Sequence, residues 1–190
     1  MRNVKSVILS LSLGLFVLFG CTSDNPTGAS VPSGVIMPLA IGNQWIQRYV
    51  LYSDTQHETR DTIKVLSDTL INNQRWYLVS DGPYGVLMAN QSDGLWIRSG
   101  GISWLVWKYP ANPGDVYHRP ADSVRVASTS RTITVTAGTY RCYEYRINHN
   151  PPIFIAPNVG MVRLDSVVIT GDDPTPLGLG RIELVSAILH

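Results

Sequence analysis

The sequence predicts an all-β domain: one curved, mostly antiparallel sheet, half-barrel or barrel-like, of about 10–12 short strands with little helix. Three observations predict it. Helical periodicity is nearly absent from the body of the chain. β-Branched and aromatic residues come in short runs, and TITVT at residues 132–136 alternates strictly. Gly, Pro, Asn and Asp, the residues that build turns, separate those runs at regular spacing. A sheet this large has to curl, close or fold over on itself.

The first element is not a strand. Arg2 and Lys5 precede residues 7–20, a run of 14 residues that is almost wholly apolar. A helix needs roughly 20 apolar residues to span a bilayer. A basic start and a short apolar run instead describe a secretory leader over residues 1–20. Residues 21–36 read as a tether. TSDNPTGASVPSG, residues 22–34, has little apolar surface to bury, and its composition gives a flexible r.m.s. reach of roughly 20 Å. The β-domain is expected over residues 37–190.

Strands are expected at residues 45–52 and 62–71, then at 75–80 after Asn72-Asn73, because asparagine tolerates the positive φ of a tight hairpin. Further strands follow at 86–89, 95–98 and 102–109, with breaks at 81–83, 92–94, 99–101 and 110–115. In the second half they fall at 124–128, 132–136, 139–148 (after an Ala137-Gly138 turn), 153–156, 159–170 and 182–189. Residues 171–180 are expected to form a long surface loop, and His190 to fray.

One internal echo stands out. Pro38-x-x-x-Gly42-Asn43-x-Trp45 matches Pro110-x-x-x-Gly114-Asp115-x-Tyr117 at an offset of 72. The common chemistry of turns accounts for it, since Pro, Gly and Asx lead into strands that open on an aromatic. A duplicated half-domain is the alternative.

Charge excludes some partners. The 190 residues carry 15 basic and 14 acidic side chains. Removing Arg2 and Lys5 with the leader leaves 170 residues with 13 basic against 14 acidic, a formal charge of −1. No basic patch argues for nucleic acid. No second apolar run approaches membrane-spanning length.

Leu18-Phe19-Gly20-Cys21 resembles the lipobox of bacterial lipoproteins. The resemblance implies a diacylglyceryl group on the Cys21 thiol, cleavage before Cys21 and acylation of the new amino terminus. That covalent lipid would be the only cofactor, and two or more acyl chains anchor stably. Thr22 stands where inner-membrane retention favours aspartate, which implies the outer membrane. If Cys21 carries lipid, Cys142 is left as a free thiol; if not, a Cys21–Cys142 disulfide is open.

Four landmarks in the body resemble a family of secreted bacterial envelope lipoproteins. They are Pro38-Leu39…Gly42-Asn43-Gln44-Trp45, Tyr109-Pro110…Gly114-Asp115, Val135-Thr136-Ala137-Gly138-Thr139-Tyr140-Arg141-Cys142, and Ala156-Pro157-Asn158-Val159-Gly160-Met161-Val162. The family implies a curved antiparallel sheet similar to the lipoprotein-sorting carriers. It has no established activity, so no catalytic residues carry over.

The sequence carries few marks of reactive chemistry. His57, His118, His149 and His190 are isolated, with no metal-ligand spacing, no nucleophile elbow and no phosphate loop. Asp172-Asp173 lacks the spacing of an EF-hand. No metal site and no catalytic residue is assigned. The candidates are binding residues. Trp96, Trp104, Trp107 and Tyr109 fall within 14 residues, and alternation puts Trp104 and Trp107 on opposite faces. A strand apolar on both faces has two-sided cover, a cavity or a partner surface. Tyr140 and Glu144 share one face with Cys142 and Arg146. An inward Glu144 needs a partner or a shifted pKa and marks a ligand site; a cross-strand ion pair with an arginine, or a solvated upper end of the strand, is the alternative. The expected role is a membrane-anchored, non-enzymatic module for a hydrophobic ligand or another envelope protein. The alternatives are a structural or adhesive surface component and, last, a glycan or peptide hydrolase.

Overall fold

A computed structural model of the chain describes residues 34–56, 58–81, 84–148, 150–170 and 176–190. Cys21, the leader, most of the tether, His57, His149 and Asp172-Asp173 lie outside the described residues. The described chain contains strands and turns but no helix. The strands are β1 (Gln44–Leu51), β2 (Glu58–Ile71), β3 (Gln74–Asp81), β4 (Tyr84–Gln91), β5 (Gly94–Ser99) and β6 (Ile102–Lys108). There follow β7 (Val116–His118), β8 (Ser123–Val135), β9 (Gly138–Ile147), β10 (Ile153–Ala156), β11 (Gly160–Thr170) and β12 (Pro176–Ile188).

All twelve belong to one sheet, in the order β6-β5-β4-β3-β2-β1-β12-β11-β10-β9-β8-β7. Each ladder is antiparallel, and the sheet curls into a nearly closed barrel whose edge strands are β6 and β7. Two six-stranded meanders, β1–β6 and β7–β12, are therefore joined twice. The first joint is the β1–β12 ladder of eight residue pairs. The second is a seam between β6 and β7 with no ladder. There the Tyr117 hydroxyl donates to Val106 O (2.6 Å) and accepts from the Lys108 N–H (3.4 Å). Tyr145 donates to Lys108 O (2.7 Å), and Lys108 Nζ pairs with Asp115 at 2.9 Å.

The echo is a structural repeat. Gly42 N–H donates to Val65 O, Val65 N–H to Asn43 O and Asn43 N–H to Ala40 O. In the second meander Gly114 N–H donates to Val126 O, Val126 N–H to Asp115 O and Asp115 N–H to Asn112 O. Both glycines have the positive φ that only glycine adopts cheaply, 94° and 95°. Trp45 and Tyr117 take matching places, paired with Ile63 and Val124. Each second strand then bulges just past the matching valine, at Val65/Ser67 and Val126/Ser128. Turn chemistry alone does not reproduce ladder register and bulge position together, so the simpler account of the echo falls.

The core lies inside the barrel. Trp45, Val65, Val79, Leu95, Val124, Val126, Tyr145, Ile153, Ile155 and Leu184 form it. Ile36 and Leu39 complete it from the segment before β1. Ile36 has no exposed surface, so the fold takes in a residue that the sequence assigns to the tether. This segment is pinned at one end of the barrel. Asn43 Nδ2 donates to Pro38 O, Asn90 Nδ2 to Met37 O, and the Asn158 N–H to Val35 O. Trp45 Nε1 donates to Val159 O. The first and last landmarks thus meet at one place, and their roles there are structural.

Some boundaries differ from expectation. β8 is continuous where two strands are expected, because bulges absorb its irregular stretch. β12 starts at Pro176, within the expected loop, and Gly178 and Gly180 pair with Ile169 and Val167. A proline is tolerated at the first residue of a strand, and the ladder to β11, joined by β1 from Gly180 onward, overrides the weak strand propensity of glycine. The His190 N–H bonds to Asn43 Oδ1 at 2.8 Å, so the last residue is held and does not fray.

Candidate functional site

Trp107 and Tyr109 come together inside the barrel, at the seam. β6 carries an extra residue: Trp107 pairs with Leu95, Leu105 with Trp96, and Val106 has no partner. Beyond the bulge Trp104 pairs with Ile97, which shares a face with Leu95. Trp104 and Trp107 therefore lie on the same, inward side. The expected opposition fails because one inserted residue resets the alternation.

The Trp107 ring lies 5.0 Å from Tyr145, tilted by 47°. Tyr145 stacks at 6.1 Å on Tyr143, and Tyr143 meets Tyr109 edge-on at 5.4 Å. Such contacts add roughly 0.5–1.5 kcal/mol each beyond their burial. Burial pushes the Tyr109, Tyr143 and Tyr145 phenols above their ordinary pKa, so they remain neutral. Gly94 makes the close approach possible. A Cβ there would lie 2.1 Å from Trp107 O and 2.8 Å from Tyr109 N.

The other candidates stand apart from this stack. Trp96 faces away from it and donates its indole N–H to Asp93 Oδ1 at 2.7 Å. Tyr140 bonds Ala137 O and packs on a small cluster of Cys142, Phe154, Ala156 and Val162. Cys142 is a free, buried thiol whose pKa burial raises to about 12.

Glu144 is on the outer face yet only 2% exposed. Arg131 Nε reaches Oε2 at 2.8 Å, and Arg146 Nε reaches Oε1 at 2.8 Å. Burial by itself raises its pKa, but the two guanidinium hydrogen bonds outweigh it and hold the carboxyl below its ordinary value. Glu183 repeats the arrangement. Arg48 holds Oε2 at 2.8 Å and Arg181 holds Oε1 at 2.7 Å. One outward row crosses seven strands through these groups, running Arg60, Arg48, Glu183, Arg163, Phe154, Glu144, Ser128. A carboxylate clamped between two guanidiniums is ionised at neutral pH and its lone pairs are taken, so it is a poor proton acceptor.

An open cleft of about 400 Å³ lies where the segment before β1 meets β3 and β4, lined by Pro38, Leu39, Ala40, Arg75, Tyr77 and Asn90. Asn90 Oδ1 is buried there without a hydrogen-bond partner. Among the described residues, no three His, Cys, Asp or Glu are grouped to hold a metal ion.

Sequence reasoning missed Tyr117, Tyr143 and Tyr145. The last two were within reach, since TYRCYEYRIN alternates and Tyr143 and Tyr145 occupy the face opposite Glu144. Tyr117 carries no local mark of its role beyond its match to Trp45.

No protein-family model matches the chain, and no curated protein matches it. Among solved structures, the fold is similar to that of a candidate lipoprotein from Parabacteroides distasonis, at a TM-score of 0.50 and 12% identity over 83% of this chain and 100% of that one. A candidate exported protein with a YmcC-like fold from Bacteroides fragilis aligns at a TM-score of 0.49 and 13% identity, over 82% of this chain and 99% of the other. At 12% identity, the likeness to the first of these shows a shared fold alone.

Proposed function

We propose that this chain is a non-enzymatic envelope lipoprotein, anchored to the outer membrane through lipid on Cys21, whose β-domain binds another envelope protein on its outer surface. The observation that carries this reading is the filled interior. Trp107, Tyr109, Tyr143 and Tyr145 occupy the space behind Trp107 that a carrier of lipid would keep open. The row of arginines and acids on the outer wall supplies recognition groups rather than proton-transfer groups.

Labelled fatty acid is expected to enter the wild type and not Cys21→Ser; incorporation in the variant defeats the anchor. A photo-crosslinker at the exposed Arg60 or Arg131 is expected to trap one envelope protein. Adducts with its own copies alone return the structural or adhesive reading.

A second reading, a small hydrophobic ligand with a polar head, is favoured by the unpartnered Asn90 Oδ1 at the 400 Å³ cleft. Native mass spectrometry of residues 34–190 purified from cells separates the two. An empty domain supports the surface reading, and stoichiometric lipid returns the carrier.

A further inference from the structure

The two meanders end their second strands in matching hairpins, β2–β3 and β8–β9, and the two hairpins are treated differently. The β8–β9 tip folds back on the barrel. Its Ala137 N–H donates to Leu184 O, and Val135, the last residue before the Thr136-Ala137 turn, packs on the core. The β2–β3 tip does not fold back. β1 begins opposite Lys64, so residues 66–71 extend past β1 with only β3 beside them, and Leu70, two residues before the Asn72-Asn73 turn, is 65% exposed. Leu66 is 51% exposed on the same strand. Ile41, Ile188 and Leu189 are exposed beside it, because Gly42 bonds Val65 and its α-carbon faces the His190 ring. Scattered exposed apolar residues are ordinary, but a group at one end of a molecule marks an interaction surface.

The anchor says what meets that surface. The chain enters the described fold at this same end, where Val35 O accepts from Asn158 in the β10–β11 turn. Val35 also lines the cleft with Gln74 and Arg75 of the β2–β3 hairpin. Cys21 is 13 residues before Gly34, a span of at most about 45 Å. Lipid on Cys21 would tether the barrel by this end.

We infer that the β2–β3 hairpin, with Leu66 and Leu70 and the neighbouring Ile41, Ile188 and Leu189, docks on the lipid surface in which the Cys21 anchor sits. This rests on the anchored-lipoprotein reading. Docking fixes the barrel's orientation and leaves the wall that carries Glu144 and Glu183 facing partners alongside the membrane. Apolar side chains at an interface sink about 5–10 Å into the headgroup boundary.

The test uses the full-length lipidated protein in vesicles of phosphatidylethanolamine and phosphatidylglycerol. A bimane label is placed at Leu70→Cys, or at Ser53→Cys in the exposed β1–β2 loop at the opposite end. Cys142 is buried and does not compete for label. Doxyl-labelled lipid is expected to quench Leu70→Cys at least about two-fold more than Ser53→Cys. The substitution Leu66→Ser is expected to reduce that difference while flotation with vesicles is unchanged. Equal quenching in protein that floats overturns the docking and spares the anchor. Protein that does not float overturns both. Shielding of Leu70→Cys from aqueous iodide without doxyl quenching, together with a dimer mass, assigns the hairpin to a second copy and overturns the docking.

Discussion

The two joints of the barrel are equivalent by the internal repeat, but they are built differently. At the first, β1 and β12 run alongside each other for eight residue pairs, Gln44–Ile188 through Leu51–Gly180. Arg48, on β1, clamps Glu183, on β12, so an ion cluster straddles the same ladder. At the second, β7 has only three residues and β6 pairs on one side only. Tyr117 spans the gap with a side chain, helped by Tyr145 and the Lys108–Asp115 pair. A ladder uses backbone groups that every residue carries, so it tolerates changes of side chain. A stitched seam depends on particular hydroxyls and loses closure with them.

The comparison breaks most readily at Gly94. A methyl group there meets the backbone of Trp107 and Tyr109, which cannot move without shifting β6. Gly94→Ala is expected to cost about 3–5 kcal/mol in urea denaturation, with the near-UV signal of Trp107 lost first. A variant within 1 kcal/mol of wild type, an effect of the ordinary size for a surface change, would contradict the tight approach.

Glu183→Gln tests the other joint. Removing one member of a buried ion cluster costs about 2–3 kcal/mol where the partners keep some solvent. The pH dependence follows from the direction of the shift. The Glu183 and Glu144 carboxyls titrate below their ordinary 4.5 in the folded chain. Their contribution is therefore complete above that ordinary value and is lost as pH falls through the folded-state value. The urea midpoint of wild type is expected to be level from pH 7 to about 5 and to drop below it. Glu183→Gln should start lower and drop less. An equal drop in both proteins would show that Glu183 is not one of the titrating groups.

The smallest effect sharpens the contrast. Tyr117→Phe removes one donor–acceptor group and leaves Val106 O and the Lys108 N–H without it, about 1–2 kcal/mol. Hydrogen exchange at Lys108 is expected to quicken while amides of the β1–β12 ladder keep their protection. Uniform quickening would mean the two joints open as one unit.

Much of this architecture was legible before any coordinates. Asn72-Asn73 does turn a hairpin, with φ of 52° and 62°, and the turn expected at Ala137-Gly138 falls one residue earlier, at Thr136-Ala137, because Gly138 already pairs with Val135. The interrupted runs do become strands of one antiparallel sheet. The Trp104–Trp107 relation was not legible, because a bulge is decided by the partner strand and leaves no mark in alternation. The clamp on Glu144 was half legible: Arg146 is two residues away, but Arg131 reaches it only through the β8–β9 register. The repeat was visible as Pro-Gly-Asx-aromatic spacing, while its second part, Lys64-Val65-Leu66-Ser67 beside Arg125-Val126-Ala127-Ser128, is too short to stand out unaided.

By itself, then, the order of residues determined the local conformations: which stretches extend and where they reverse. Those choices depend on neighbours a few positions apart. Only the tertiary structure decided which strand ends meet, that one joint is a ladder and the other a tyrosine, and that the interior is filled by rings from β6 and β9. Contacts between residues far apart in the chain depend on curvature and on bulges, and both are set by the whole sheet.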